Sequence, residues 1–422
     1  MTVDLRTVAH DHDALLLRRL DVVVPRVMAR AGLDAWVLVA REYAEDPVLA
    51  TMLPATWLAT ARRRTVLVFV RTAAGPDGTP VVERFAVARH PVGRAFPPVW
   101  DPTAEPDQWT CLARLLDEHD PATIGVDRSA TFPLADGLTA SEHEALLAAL
   151  PRRLRERVVG AQAAAVGWLE TRLPEEVDAL RVACARAHDY LHRALSAEVL
   201  TPGVTTTADV EWWLRQAVHD DGLGSWFHPS CTVQRRGGTV RASFATVDAA
   251  SVVQPGDLVH VDFGIVDRGL CTDQQQHAYV LRPGESAPPS GLLTGLAAAN
   301  RLQDLLMARF AVGVTGNELL ASTLAAARDE GIDGLVYSHP IGVHGHAAGP
   351  TIGLWDAQDG VPGPGDHPLV PDTAYSVELQ ARVAVPEWDG EEVAVMLEED
   401  AFFDGATCAF LDGRQTALHV IG

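Results

Sequence analysis

The chain has 422 residues, 47% hydrophobic and 21% charged, and a formal net charge of −22. This length and apolar content predict about two domains with large buried cores, and they exclude a disordered or low-complexity chain. All 34 basic residues are arginines, which excludes lysine Schiff-base chemistry and a P-loop; the acidic balance excludes general nucleic-acid or anionic-membrane binding.

In chain order, the opening segment is broken by His and Asp and does not read as a secretory signal. Helical spacing of apolar residues runs over Leu15 to Ala31 and again over Trp109 to Glu118. Strands are predicted at Asp34–Ala40, Thr65–Val70, Arg84–Arg89 and Thr123–Asp127. Residues 1–165 therefore read as an α/β domain without a catalytic cluster. Beyond it, Leu173-Pro174-Glu175-Glu176 opens a long helix reaching Ala197, because early Pro and first-turn acids favour a helix start. Thr205-Thr206-Thr207 can cap a helix over Ala208–His219, and Thr315-Gly-Asn-Glu318 is a capping box before Leu319–Glu330. Strand-like runs lie at Leu258–Gly264, His277–Leu281, Ala374–Leu379 and Val393–Leu397, and Gly360–Gly365 reads as a loop. No apolar run approaches the ~18 residues of a membrane span. Five cysteines (Cys111, Cys184, Cys231, Cys271, Cys408) are scattered with no Cys-x-x-Cys, which predicts reduced thiols and a cytoplasmic protein.

The second half carries acids and histidines inside apolar strands, where a carboxylate is costly unless paired or bound to metal. Asp262 and Asp273 are 11 residues apart, with the turn signal Arg268-Gly269 between them. His339-Pro-Ile-Gly-Val-His344-Gly-His346 follows, then Glu378 and Glu398. Four carboxylates and an imidazole suit hard or borderline divalent ions.

This order and its contexts resemble the pita-bread metallopeptidase family of aminopeptidase P, prolidase, methionine aminopeptidase and creatinase. The matching stretches are Pro255–Val259 leading into Val261-Asp-Phe-Gly264, Gly269-Leu-Cys-Thr-Asp273, His339-x-Ile-Gly-Val-x-x-His346, Leu369–Glu378 and Leu397-Glu-Glu-Asp400. The resemblance implies a creatinase-like α/β N-terminal domain over 1–165 and an α+β pita-bread catalytic domain over 166–422. It implies two divalent ions (Mn, Co, Zn or Fe) held by Asp262, Asp273, His339, Glu378 and Glu398, with Asp273 and Glu398 bridging. Glu378 would also handle the nucleophile's proton, and His346 would donate to the oxyanion or leaving group. The function implied is hydrolysis of an amide bond, Xaa-Pro aminopeptidase-like or prolidase-like, by a homodimer acting on a peptide or small molecule.

The chain departs from the family around the substrate. Arg241–Thr246 lacks the His expected there in proline-specific members, Met396 stands where an Arg is frequent, and Leu379-Gln380 replaces Pro-Gly. Gln274-Gln-Gln-His277 stands where Ile-Thr-Arg-Thr is usual. His228 is the first candidate to face the pocket and bind substrate in place of the absent His, with Arg235, Arg236 and Arg241 as partners for a substrate carboxylate. The alternative reading is a pita-bread metalloenzyme repurposed for a small non-peptide substrate, as a lyase or C–N hydrolase.

Overall fold

In the computed structural model, which describes residues 4–58, 60–72, 81–238 and 250–422, the chain divides into two units, Met1–Thr171 and Arg172–Gly422. The first unit is built on β1 (Ala35–Arg41), β2 (Arg64–Arg71), β3 (Val82–Ala88), β4 (Ile124–Val126) and β5 (Val158–Gly160), in the sheet order β3-β2-β1-β4-β5. The sheet is mixed, since β1 runs antiparallel to β2 and parallel to β4. The helix Leu5–Arg30 buries Leu16, Leu20, Val23, Val24 and Val27, the three-and-four spacing of an apolar stripe. It begins well before the expected Leu15, because Asp4 caps it by accepting from the Arg6 amide while its first turns stay exposed and carry no apolar period.

The second unit carries β6 (Ser230–Gln234), β7 (Leu258–Phe263), β8 (Val266–Asp267), β9 (Leu270–Cys271), β10 (Gln274–Val280), β11 (Asp333–Val336), β12 (His339–Pro340), β13 (Thr373–Val385), β14 (Glu391–Phe403), β15 (Cys408–Phe410) and β16 (His419–Ile421). Nine of these form one sheet with the main path β11-β13-β14-β10-β7-β6; β12 joins β13, β15 joins β14 and β16 joins β10. Val259, Val261 and Phe263 of β7 pack with the helices Pro174–Ala194 and Thr207–Asp220. Leu379 and Ala381 of β13 and Val395 and Leu397 of β14 pack with the helices Ser290–Met307 and Gly316–Asp329. Side chains alternate along a strand. One face of the sheet is thus given to apolar packing, and the intervening residues, among them Asp262, Glu378 and Glu398, stand on the other.

Between the two aspartates the turn forms as its residues dictate. β8 and β9 pair antiparallel around Arg268 and Gly269, both at positive φ (51° and 78°). Two successive left-handed residues are the geometry of a two-residue hairpin whose twist matches its strands. The returning chain enters β10 beside β7, with Gln275 directly across from Asp262.

Candidate metal centre

Four register pairs build the site. Ser230 faces Asp262, Asp262 faces Gln275, Gln275 faces Glu398 and Glu398 faces Glu378, so one row crosses five neighbouring strands. Asp273 sits just before β10, its amide donating to Asp400 Oδ2 at 3.1 Å. His339 lies on β12 across from Ser376. The structure therefore brings together all five residues expected as metal ligands. Their ligand atoms form overlapping groups, each within 4.8 Å: Asp262, Asp273 and Glu398; His339, Glu378 and Glu398; and Asp273, His339 and His346. Glu398, at 1% exposure, belongs to the first two groups, and Asp273, at 4%, to the first and third.

His339 is oriented by its own chain. Its Nδ1 lies 3.0 Å from the Pro340 carbonyl, which only accepts, so Nδ1 carries the hydrogen and Nε2 presents a lone pair. That Nε2 is 3.5 Å from Glu398 Oε1, 3.8 Å from Asp273 Oδ2 and 4.0 Å from Glu378 Oε2. Ligand atoms around one ion at ~2.1 Å sit roughly 3–4 Å apart. Asp262 Oδ1, Asp273 Oδ1 and His339 Nε2 are buried with no hydrogen-bond partner among the described residues. Buried acceptors aimed at one another are costly unless a cation lies between them. The residues present thus fit divalent metal ions.

The electrostatics point the same way. Burial first, and the Glu398 carboxylate second, push the carboxyls of Asp262, Asp273 and Glu378 well above the usual carboxylate range. The cluster holds protons unless a cation replaces them.

His346 is exposed, with its ring 4.7 Å from that of His339 and 5.2 Å from that of Trp226. It therefore stands at the accessible edge of the buried cluster. His228 packs on a neighbouring helix. Its ring lies 5.1 Å from Trp212, with Nε2 3.6 Å from Glu211 and Nδ1 3.4 Å from Arg215, all on the helix Thr207–Asp220. An acid, an arginine and an indole on that helix thus surround its ring. Arg235 is engaged at 2.6 Å by both oxygens of Asp257, and Arg236 by Asp389, so both guanidiniums are already paired. Arg241 and the segment lacking the family His fall outside the described residues.

Sequence reasoning missed three contributors. Ser376 donates to Glu398 Oε1 at 2.5 Å. Gln275 donates to both glutamates, and His260 contacts Gln275. The signal available was their two-residue offset from Glu378, Asp273 and Asp262.

The family model for metallopeptidase family M24 matches residues 178–403. Among solved structures, the chain is similar to an X-Pro aminopeptidase from Thermotoga maritima, at 16% identity and TM-score 0.65, covering 94% of this chain and 99% of that one. It is similar to an Xaa-Pro dipeptidase from Bacillus anthracis, at 17% identity and TM-score 0.61, covering 96% and 99%. It is also similar to the N-terminal domain of the FACT complex subunit SPT16 from Cicer arietinum, at 10% identity and TM-score 0.56, covering all of both chains. At these identities the likeness establishes the fold. The search of curated proteins gave no significant match.

Proposed function

Because the chain belongs to metallopeptidase family M24 and has its pita-bread fold, we propose that this metallohydrolase binds two divalent ions and cleaves an amide bond, as Xaa-Pro aminopeptidases and prolidases do, with an altered substrate pocket. The observation that carries the reading is the pair of ligand groups sharing Glu398. Asp262, Asp273 and Glu398 would hold one ion, and His339, Glu378 and Glu398 the other, with Asp273 available to both. Bound there, Mn, Co, Zn or Fe supplies Lewis-acid polarisation of a carbonyl and lowers the pKa of water. The chain's own residues do the rest. Glu378 takes the proton of the attacking water; burial and the Glu398 carboxylate raise its affinity for a proton. His346, at the exposed edge, holds a proton toward the carbonyl oxygen or the leaving nitrogen. No helix of the described residues is long and apolar enough to cross a membrane. The five free cysteines suit a reducing cytoplasm. A homodimer completes the reading; light scattering showing only a 45.3 kDa species would remove that part.

A specific feature favours the second reading, a small non-peptide substrate. Beside the ligand row, on the same face, Thr232 faces His260 and His260 faces His277. The ring of His277 lies against the Met396 backbone, at 2.7 Å from its oxygen and 3.0 Å from its nitrogen. Burial drives His260 down to about 4 and His277 well below its ordinary range, so both are neutral at pH 7. This row offers no cation for a peptide carboxylate. The test is a panel of Xaa-Pro peptides and small amides with Mn, Co, Zn and Fe, with products identified by mass. Xaa-Pro turnover near ~10 s⁻¹ supports the plain peptidase reading. Turnover of small non-peptide compounds alone supports the second, and no amide cleavage anywhere sinks the hydrolase proposal.

A further inference from the structure

Gln275 stands at the centre of the ligand row, directly across from Asp262 on one side and Glu398 on the other. Its carboxamide nitrogen lies 2.6 Å from Glu378 Oε1 and 2.7 Å from Glu398 Oε2. Ionised carboxylates only accept, so the amide must turn its NH₂ toward them and its oxygen away. That oxygen is 2.9 Å from His260 Nε2, which must then carry the hydrogen. The nitrogen left as acceptor, His260 Nδ1, lies 3.5 Å from the Thr232 hydroxyl. Every polarity in this chain, from Thr232 through His260 and Gln275 to the two glutamates, is thus determined by the acceptors at its end.

The consequence lies in which oxygens Gln275 occupies. It takes one from each glutamate, and the remaining two, Glu378 Oε2 and Glu398 Oε1, are those 4.0 and 3.5 Å from His339 Nε2. A hydroxyl has a single hydrogen and could not hold both carboxylates. An arginine could hold both, but its charge would cancel the attraction that the cluster has for a cation. A carboxamide has two N–H groups and no charge.

Resting on the ligand assignment above, we propose that Gln275 is a positioning residue: its carboxamide fixes Glu378 and Glu398 to receive a divalent ion with His339, and His260 fixes the direction in which that carboxamide points. Partners that orient metal ligands are typically worth about 10–100-fold in metal affinity.

The experiment is calorimetric titration of the chelator-stripped full chain with MnCl₂, with His339→Ala identifying the binding step that depends on the His339 site. Gln275→Met keeps the side chain's length and removes its donors. It is expected to weaken that step by about 10–100-fold. A purely structural role would lower the melting temperature of the stripped chain without moving the Mn affinity. Where Gln275→Met does not fold, His260→Phe keeps the ring but frees the amide to turn, and is expected to weaken the same step; His260→Gln restores an N–H donor and is expected to recover it. Mn affinities within about twofold of the unaltered chain in Gln275→Met, or in His260→Phe, overturn the proposal and leave the ligand assignment standing. An unaltered chain that binds no Mn overturns the ligand assignment and this proposal with it.

Discussion

Removing metal from the enzyme will cost it stability in a strongly pH-dependent way. Asp262, Asp273 and Glu398 bring three carboxylate oxygens within 4.8 Å of one another. At an effective dielectric constant of ~20, each ionised pair at that distance repels by about 3–4 kcal/mol. Three pairs give roughly 10 kcal/mol, which is comparable to the whole stability of ~5–15 kcal/mol of a typical domain. The stripped chain relieves this by keeping protons, and the carboxyls of Asp262, Asp273 and Glu378 are raised accordingly. A carboxyl whose folded pKa exceeds its unfolded value contributes stability that is fully present below about pH 4 and is lost as pH climbs through the folded value. Cations remove the need for those protons. The melting temperature of the Mn-loaded chain minus that of the chelator-treated chain is therefore expected to widen steadily from pH 5.5 to pH 9. Titration in two buffers of different ionisation enthalpy is expected to show protons released as Mn binds. A gap that is constant or narrows with pH, with no proton release, would refute the reasoning.

Three further outcomes are expected. Glu378→Gln nearly abolishes turnover, since a carboxamide cannot take a proton, yet it raises the melting temperature of the stripped chain at pH 8 by removing one buried charge; rate assay and melting are read on the same preparation. His346→Ala lowers the rate by about 10²–10³-fold with metal content unchanged by elemental analysis, and a parallel loss of metal would make His346 a ligand instead. In the first unit, Asp46 and Asp127 are buried and interact, burial raising Asp46 to about 6 and Asp127 well above the ordinary range. Stability held at low pH is therefore lost as pH rises through about 6. Asp127→Asn, whose oxygen can still accept from Trp36 Nε1 as Asp127 does at 2.7 Å, is expected to raise the melting temperature above that pH and leave it unchanged near pH 4.

The candidate ligands were legible because acids and a histidine stand in or beside apolar strand runs, and because Arg268-Gly269 marks the turn between Asp262 and Asp273. The helix Ser290–Met307 was not. It begins Ser-Gly-Leu-Leu-Thr-Gly, has no acid in its first turn and no side-chain cap, and local propensity argues against it. Its glycines are there for packing: a Cβ on Gly291 would come within 2.9 Å of the Glu387 carboxylate and the Val385 side chain, and one on Gly295 within 2.8 Å of Val383. The helix lies so close to β13 and β14 that only glycine fits, a tertiary constraint that no window of sequence contains. His228 was illegible for a related reason. Its neighbours Glu211 and Trp212 belong to the preceding helix Thr207–Asp220, and no local window around His228 contains them.

The same geometry would let a family metal centre and an altered substrate pocket, as proposed, coexist in one chain. Side chains on one face of a strand recur every second residue, so a sheet presents its chemistry in rows across strands. Asp262, Gln275, Glu398 and Glu378 make one row. His260, His277, Met396 and Gln380 lie two residues along those same strands. A substitution in the second row leaves the register, the hairpin at Arg268-Gly269 and every ligand of the first row in place. Substrate selection can therefore drift while the ligands stay fixed, with one restriction. His260 belongs to the second row but touches Gln275 in the first, so changes at His260 are the ones expected to alter metal affinity and substrate preference together, whereas changes at Met396 are expected to alter preference alone.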